Sequence, residues 1–305
     1  MQKHKSVLLK EVLEILDIKN NQKYLDCTFG GGGHTRSFLE FNNTISVIGL
    51  DCDPEVSSYA QSVISDFGNR FLFYDLNYCN LDQIKEENFN GILFDLGVSS
   101  FQLDTRKRGF SFRKDAYLDL RMNPRTGISA ADFLQTASSN LLIKAIRDFG
   151  EEIYWRRIVN AIQYFRGSKK LTSTISFSNL ICNAIGSKAV AKSRIHPATK
   201  TFQGLRIAVN KELTCIQVGL QKAFKKLASG GTMIVISFHS LEDRLVKRFM
   251  RGIAGLPEHA NDSRAKQERE ILGKLIFNKP IQPKILEINE NLRSRSAKLR
   301  ALRKN

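Results

Sequence analysis

Residues 24–34 read Tyr-Leu-Asp26-Cys-Thr28-Phe-Gly30-Gly31-Gly32-Gly33-His34, an apolar β-type run that empties into four glycines before helix-compatible sequence resumes. Glycine alone lets a backbone turn this sharply and approach a ligand with no Cβ in the way, and amides at a helix start favour polar or anionic groups. A second carboxylate, Asp51, closes the next apolar run at 45–50, at about the ~20-residue offset of an acid that holds ribose hydroxyls. Together these predict a nucleotide-cofactor site drawing on Asp26, Gly30, Gly32, Gly33 and Asp51. The competing reading is a glycine-rich surface turn without a ligand. A dinucleotide fingerprint fits less well, because Thr35 stands where its third glycine belongs.

The pattern Asp26-x-Thr28-x-Gly30-x-Gly32 instead resembles the first motif of class I methyltransferases, which bind S-adenosylmethionine (AdoMet) and have no pyrophosphate to seat. In such enzymes the loop after the fourth strand lies beside the transferable methyl. Here that segment is residues 91–104, where Asp95, Ser99, Ser100 and Gln102 supply a carboxylate, two hydroxyls and an amide. Methyl transfer is an in-line displacement in which positioning and polarising the nucleophile dominate over acid–base work. Asp95 is either the acceptor for a target amine or a cap on the following turn, a role aspartate often takes. The prolines that commonly follow the acid in amino-group methylases are missing.

The elements that must carry these residues alternate. After an amphipathic helix at 7–16, strand-like runs at 24–29, 45–51, 71–76 and 91–96 are separated by helix-like stretches, one at 54–64 opened by Pro54. This predicts an α/β protein with a parallel, doubly wound, Rossmann-like sheet and ligands at the carboxyl ends of its strands. Near residue 100 the alternation stops, and 129–195 reads as helices at 130–135, 141–149, 152–165 and 175–185. A long helix at 202–227, ended by Ser229-Gly230-Gly231, leads into a buried strand at 232–238 and a helix at 241–250; residues 252–285 look irregular. The division expected is a discontinuous methyltransferase domain, 1–104 and 205–305, with an inserted, mainly helical substrate-recognition subdomain, 105–204.

The chain of 305 residues carries 47 Lys and Arg against 30 Asp and Glu, a formal net charge of +17. Such an excess strengthens encounter with polyanions, nucleic acid before membrane surfaces, although a Lys-rich proteome would also produce it. The cations cluster. Arg106, Lys107, Arg108, Arg113 and Lys114 surround Gly109, Phe110 and Phe112, and the last 15 residues hold Arg293, Arg295, Lys298, Arg300, Arg303 and Lys304 with no acid, a basic tail expected to hold nucleic acid together with the helical insert. Arg244, Lys247 and Arg248 recur at helical spacing, as a solvated face or a phosphate track. Five scattered cysteines without a C-x-x-C pair suggest neither a zinc site nor a disulfide framework, and no metal is expected. The amino-terminal apolar residues are interrupted by Lys10, Glu11 and Glu14, so no signal peptide or membrane span is expected and a cytoplasmic location is.

Five blocks together resemble the bacterial MraW-type family: residues 26–34, 93–104, Arg-Gly-Phe-Ser-Phe at 108–112, His-Pro-Ala-Thr-Lys-Thr-Phe-Gln at 196–203, and Ile-Ser-Phe-His-Ser-Leu-Glu-Asp-Arg at 236–244. The resemblance spans about residues 5–302. It implies an AdoMet-dependent small-subunit (16S) rRNA cytosine-N4 methyltransferase acting on a cytidine in the decoding region, with S-adenosylhomocysteine (SAH) as product and the small ribosomal subunit as partner. Carried onto this sequence, the cofactor contacts fall on Gly32, Gly33, His34, Asp51, Tyr78 beside the adenine, Asp95 and Gln102. His196, Lys200 and Arg206 fall where a flipped-out cytosine could reach the methyl, joining Arg106, Lys107, Arg108 and Arg113 as RNA-binding candidates. His239 is either a strand-end histidine making structural hydrogen bonds or, as the resemblance implies, part of the substrate pocket. Asp95, Ser99, Ser100 and His239 are thus the catalytic candidates. The chain departs from the family pattern at Tyr78 (for phenylalanine), Phe101 (for proline), Ala116-Tyr117 (for Gly-Pro) and Asn123, which leaves no carboxylate at that position.

Rival functions are an RNA-binding ribosome-assembly factor on a methyltransferase fold that has lost activity, and a DNA amino-methyltransferase. The intact glycine loop and Asp51 speak against the first, the missing acid-proline-proline loop against the second. A dehydrogenase lacks the glycine spacing. The sequence leaves oligomeric state open, a homodimer included.

Overall fold

A computed structural model describes residues 6–305, apart from the side chains of Ser100 and Lys266. The Ser100 hydroxyl, a catalytic candidate, therefore lies outside what is described. In chain order the main elements are α1 (Leu9–Leu16), β1 (Lys23–Asp26), α2 (Gly33–Phe41), β2 (Ser46–Asp51), α3 (Ser57–Phe67), β3 (Phe71–Asp75), β4 (Phe89–Asp95), α4 (Ser100–Asp104), α5 (Ala130–Thr136), α6 (Ser139–Ile143), α7 (Trp155–Tyr164), α8 (Thr174–Ile185), α9 (Ser187–Lys192), α10 (Ala198–Asn210), α11 (Glu212–Lys226), β5 (Leu227–Ser237), α12 (Ser240–Ile253), β6 (Gly273–Leu275), α13 (Ile285–Glu290) and β7 (Lys298–Lys304). The chain forms two compact units, 1–97 with 213–305 and the intervening 98–212. The junctions fall at 97/98 and 212/213 rather than at the 104/105 and 204/205 read from the sequence.

The first unit is a seven-stranded sheet of order β3-β2-β1-β4-β5-β7-β6, in which β1 to β5 run parallel and β7 enters antiparallel between β5 and β6. Successive side chains of a strand point to opposite faces, so each central strand feeds two cores. Tyr24, Val47, Leu93, Ile234, Ile236, Leu299 and Ala301 pack with Val12 and Leu16 of α1, Phe38 of α2 and Val63 of α3. Leu25, Ile48, Leu50, Ile92, Phe94, Met233, Val235 and Leu302 pack with Ile216 and Leu220 of α11 and Val246 of α12. Burial on both faces is why these strands read as nearly continuous apolar runs.

Four expectations are corrected here. The helix read across 202–227 is two helices, because Lys211 takes a left-handed conformation (φ 51°) and Asn210 turns its side chain away to pin another segment. Asn210 Nδ2 donates to Leu120 O (2.7 Å) and Arg206 O (2.9 Å), and its Oδ1 accepts from Met122 N (2.7 Å). Ser229-Gly230-Gly231 does not separate helix from strand but is a bulge inside β5. Phe89 pairs with Leu227 and Gly91 with Thr232, and Gly230 has φ 74°.

The third correction concerns the basic carboxyl-terminal segment, which is strand β7. Lys298 to Arg303 pair residue by residue with Ser237 to Thr232. Three of its four cations are held within the unit: Arg300 contacts both oxygens of Asp243 (2.7 and 3.2 Å), Lys298 lies 3.4 Å from the same carboxylate, and Lys304 Nζ donates to Leu227 O (2.6 Å) and Phe224 O (3.1 Å), while Arg303 is exposed. Burial alone would push the Asp243 carboxyl up, but Arg300 and Lys298 together hold it below the usual range. Residues 252–285, read as irregular, include strand β6.

The second unit is helical and has its own core. Ile158 and Ile162 on α7, Phe177, Ile181 and Ile185 on α8 and Leu205 on α10 meet Leu118, Leu134 and Ile146. The i, i+4 recurrence on α7 and α8 is the stripe an amphipathic helix turns inward. A π-helical turn, Lys144–Phe149, continues α6. No helix among the described residues is long and apolar enough to cross a membrane.

Candidate active site

Parallel strands bring their carboxyl ends to one edge of the sheet, and there the first unit collects Asp26 (β1), Asp51 (β2), Asp95 (β4) and His239, two residues past β5. In register, Asp26 lies opposite Gly49 and Leu93, and Asp95 opposite Ile236. Residues far apart in sequence thus share one edge, the usual ligand position of such folds.

The glycine loop runs from β1 into α2. Gly30 (φ 52°) and Gly32 (φ 74°) take left-handed conformations, and a Cβ on Gly32 would sit 2.7 Å from the Phe29 ring. A Cβ on Gly33 would overlap Ser6 Oγ. Gly31 has no such constraint: its φ is ordinary and a Cβ there would meet no atom within 4 Å. The backbone itself therefore calls for glycine at 30 and 32, a side chain at 33 would have to displace the Ser6 hydroxyl, and Gly31 leaves open the space a close-lying ligand needs.

Each acid of the edge has a different setting. Asp26 is buried and both its oxygens are engaged, Oδ2 by Thr35 Oγ1 (2.8 Å) and Oδ1 by Thr28 N (3.2 Å), so it ties β1 to the start of α2. Burial raises its pKa, against the opposing pull of His34 and these donors. Asp51 accepts from Gly30 N (2.8 Å) on Oδ2 and from Asp53 N (2.9 Å) on Oδ1. One lone pair on each oxygen stays open for hydroxyl donors. Burial pushes Asp51 up to about 6 even though both amides favour the carboxylate.

Asp95 is placed by Thr28, whose Oγ1 accepts from Asp95 N at 2.6 Å. Its Oδ2 lies 3.6 Å from His34 Nε2, on the first turn of α2. His34 is 5% exposed, and neither of its ring nitrogens nor Asp95 Oδ1 has a hydrogen-bond partner among the described residues. Buried polar atoms left this way cost stability, and at a ligand site they mark positions a ligand completes. The open glycine edge, the free lone pairs of Asp51 and the unpartnered ring nitrogens of His34 fit a polar nucleoside cofactor. Tyr78 opens a 3-10 turn (Tyr78–Gln83), with its ring edge-on to Phe94 at 5.5 Å and close over Gly219.

The remaining candidates stand differently. His239 caps α12: Nδ1 accepts from Glu242 N (3.4 Å) and Nε2 lies 3.1 Å from Glu242 Oε1. Ser99 and Gln102 lie in the second unit and cap α4 reciprocally, Gln102 N donating to Ser99 Oγ (3.2 Å) and Ser99 N to Gln102 Oε1 (3.1 Å).

Of the basic candidates in the helical unit, Arg106, Lys107 and Arg113 are exposed, and Arg106 Nε donates to Asp115 O. His196 is exposed, with its ring 4.4 Å from that of Phe112, and Lys200 Nζ donates to Glu151 O (3.0 Å). Two others turn inward, contrary to their reading as surface cations. Arg108 is buried and donates through one terminal nitrogen to Arg121 O (2.9 Å) and Met122 O (2.7 Å). Arg206 makes a two-pronged pair with buried Glu212 (both 2.8 Å). Sequence reasoning missed the individual tasks of Thr28 and Thr35, and the only signal for Thr28 was its place inside the Asp26-x-Thr28 motif.

Five parallel strands with an antiparallel seventh inserted beside the fifth, a glycine loop after β1 and an acid closing β2 define a class I AdoMet-dependent methyltransferase. S-adenosyl-L-methionine is its methyl donor. The chain belongs to the MraW methylase family, whose model matches residues 1–305. It is 41% identical to a Ribosomal RNA small subunit methyltransferase H of Rickettsia rickettsii (strain Sheila Smith) over 99% of this chain and 98% of the relative. Its identity to the protein of that name from Syntrophotalea carbinolica is 42%, with the same shares covered. Among solved structures, an rRNA methylase from Streptococcus thermophilus aligns with 100% of this chain and 98% of its own at 11% identity and a TM-score of 0.44, too distant to bear on residue roles.

Proposed function

We propose that this methyltransferase acts on the exocyclic N4 of a cytidine in the decoding region of 16S rRNA, presented by the assembled small subunit. The observation that carries the choice of an amine is Asp95, a carboxylate at the end of β4 whose buried Oδ1 has no donor among the described residues. An exocyclic amine is a donor of the kind this oxygen lacks. Ribosomal RNA is supported by the names of the relatives and by charge: residues 98–212 hold 20 Lys and Arg against 8 Asp and Glu. In this reading that unit is the substrate-recognition subdomain, with Arg106, Lys107, Arg113, His196 and Lys200 on RNA, while Arg108 and Arg206 hold its interior together.

Bound AdoMet supplies an electrophilic methyl on a positively charged sulfur. Asp51 accepts from the ribose hydroxyls, the loop at Gly30–Gly33 lets the backbone approach, and Tyr78 offers an aromatic face to the adenine. Asp95 accepts from the target amine, fixing its lone pair on line with the methyl, and takes up the proton that N4 sheds after transfer. Chemistry on a base edge needs an unstacked nucleotide, and phosphate contacts make binding steeply salt-dependent.

The test is methyl transfer from labelled AdoMet to undermethylated small subunits, followed by nucleoside digestion and mass spectrometry. N4-methylcytidine at one position is expected. Label in another nucleoside, or none in subunits and their precursors although SAH binds, refutes the assignment.

A further inference from the structure

His34 enters the site through the glycine motif, yet its side chain does something the motif does not require. The imidazole is 5% exposed, sits on the first turn of α2, and reaches back over the sheet edge toward carboxylates from two different strands. Asp95 Oδ2, at the end of β4, is 3.6 Å from Nε2. Asp26, at the end of β1, is close enough for His34 and Asp95 to act on it electrostatically, with opposite signs. The Phe38 ring lies 6.3 Å from the imidazole. Asp26 is committed to Thr35 and Thr28, whereas among the described residues Asp95 has the loose approach of His34 on Oδ2 and no partner on Oδ1.

A distance of 3.6 Å is just beyond hydrogen-bond reach, the looseness that catalytic contacts show before a ligand tightens them. Resting on the amine-methylation reading above, we propose that His34 is a positioning residue for Asp95. Its Nε2–H closes onto Asp95 Oδ2 when substrate is bound and directs Oδ1 at the target amine. In the step served, the N4 lone pair forms the N–C bond as the C–S bond breaks with its electron pair left on sulfur. The surplus proton on N4 passes to Asp95 Oδ1 and then to water. Without His34 the carboxylate has no donor on either oxygen among the described residues and is held less firmly, so the amine is on line less often.

Four proteins, wild type, His34→Ala, His34→Gln and Asp95→Asn, together with the His34→Ala/Asp95→Asn double variant, separate this from simple cofactor binding. The expected result for His34→Ala is a fall in kcat of about 100-fold at saturating AdoMet, in the range that positioned acid–base groups contribute. KM for the subunits should stay within about threefold of wild type, and each kcat is taken at an AdoMet concentration that saturates that variant, with SAH affinity measured separately by calorimetry because His34 is also among the cofactor contacts. Glutamine, whose amide N–H can replace Nε2–H, should recover at least about tenfold. In the Asp95→Asn background the alanine change should cost little more, because residues acting as one unit are not additive. A weakened SAH affinity with unchanged kcat, or a full multiplicative loss in the double variant, overturns the proposal. A wild-type protein that binds SAH but transfers no methyl to subunits refutes the substrate reading instead, and the amine-acceptor role with it.

Discussion

The proposed ribose contact of Asp51 carries a pH dependence whose size follows from the setting of that carboxyl. Burial raises the carboxyl to about 6, while the Gly30 and Asp53 amides keep the ionised form within reach. Ribose hydroxyls donate to a carboxylate but find only half an acceptor set on a carboxylic acid, so cofactor binding selects the ionised form. With a pKa of about 6, roughly one molecule in eleven is ionised at pH 5 and nearly all at pH 8, so SAH affinity should fall about tenfold between pH 8 and pH 5. Near pH 6 binding should release about half a proton, visible in calorimetry as a dependence of the apparent enthalpy on the buffer. The sign for stability is opposite. A folded pKa above the unfolded value of 3.8 means the ligand-free protein binds the extra proton, so this contribution is present below about 4 and is lost as pH rises through 6. Asp51→Asn should bind SAH more weakly at pH 8 and lose the acid limb. A flat wild-type profile, or an unchanged limb in the asparagine variant, would show that Asp51 does not hold the ribose.

Three further outcomes follow from particular contacts. Gly33→Ala drives a methyl into Ser6 Oγ and should cost about 1–3 kcal/mol by denaturant unfolding, a loss that adding Ser6→Ala should largely relieve; equal losses in single and double variants would reject the clash. Arg300→Ala leaves Asp243 with Lys298 alone and should destabilise by about 2–4 kcal/mol without altering the salt dependence of RNA binding, whereas a stable variant with weaker RNA affinity would restore the segment as an RNA-binding tail. Arg108→Ala should cost about 2–4 kcal/mol by orphaning the carbonyls of Arg121 and Met122, while Lys107→Glu with Arg113→Glu should leave unfolding unchanged and lower the slope of log affinity against log salt by about 1.5. Reversed behaviour of the two would exchange their assignments.

Much of the architecture lies open in the sequence because the properties that specify it are local. Glycines at 30 and 32 are needed where φ is positive, and apolar runs mark strands buried on two faces. The acids Asp51 and Asp95 sit where those runs end, which is where a parallel sheet exposes its ligand edge. Errors came where the deciding partner was distant. Lys298, Arg300 and Lys304 look like part of a basic tail until Asp243 and the Leu227 carbonyl, 55 residues from Lys298 and 77 from Lys304, take their charges and β5 takes the backbone of the segment. Arg108 and Arg206 resemble surface cations until carbonyls and Glu212 enclose them, and the helix at 202–227 looks unbroken until Asn210 reaches Leu120 and Met122. By itself the sequence determined the glycine loop, the strand ends and the parallel run of the sheet's first half, since backbone conformation and hydrophobic period are written residue by residue. Only the tertiary structure decided which charges are free to act and that His34 and Asp95 meet, because a side chain's partner is chosen by folding contacts that no local pattern encodes.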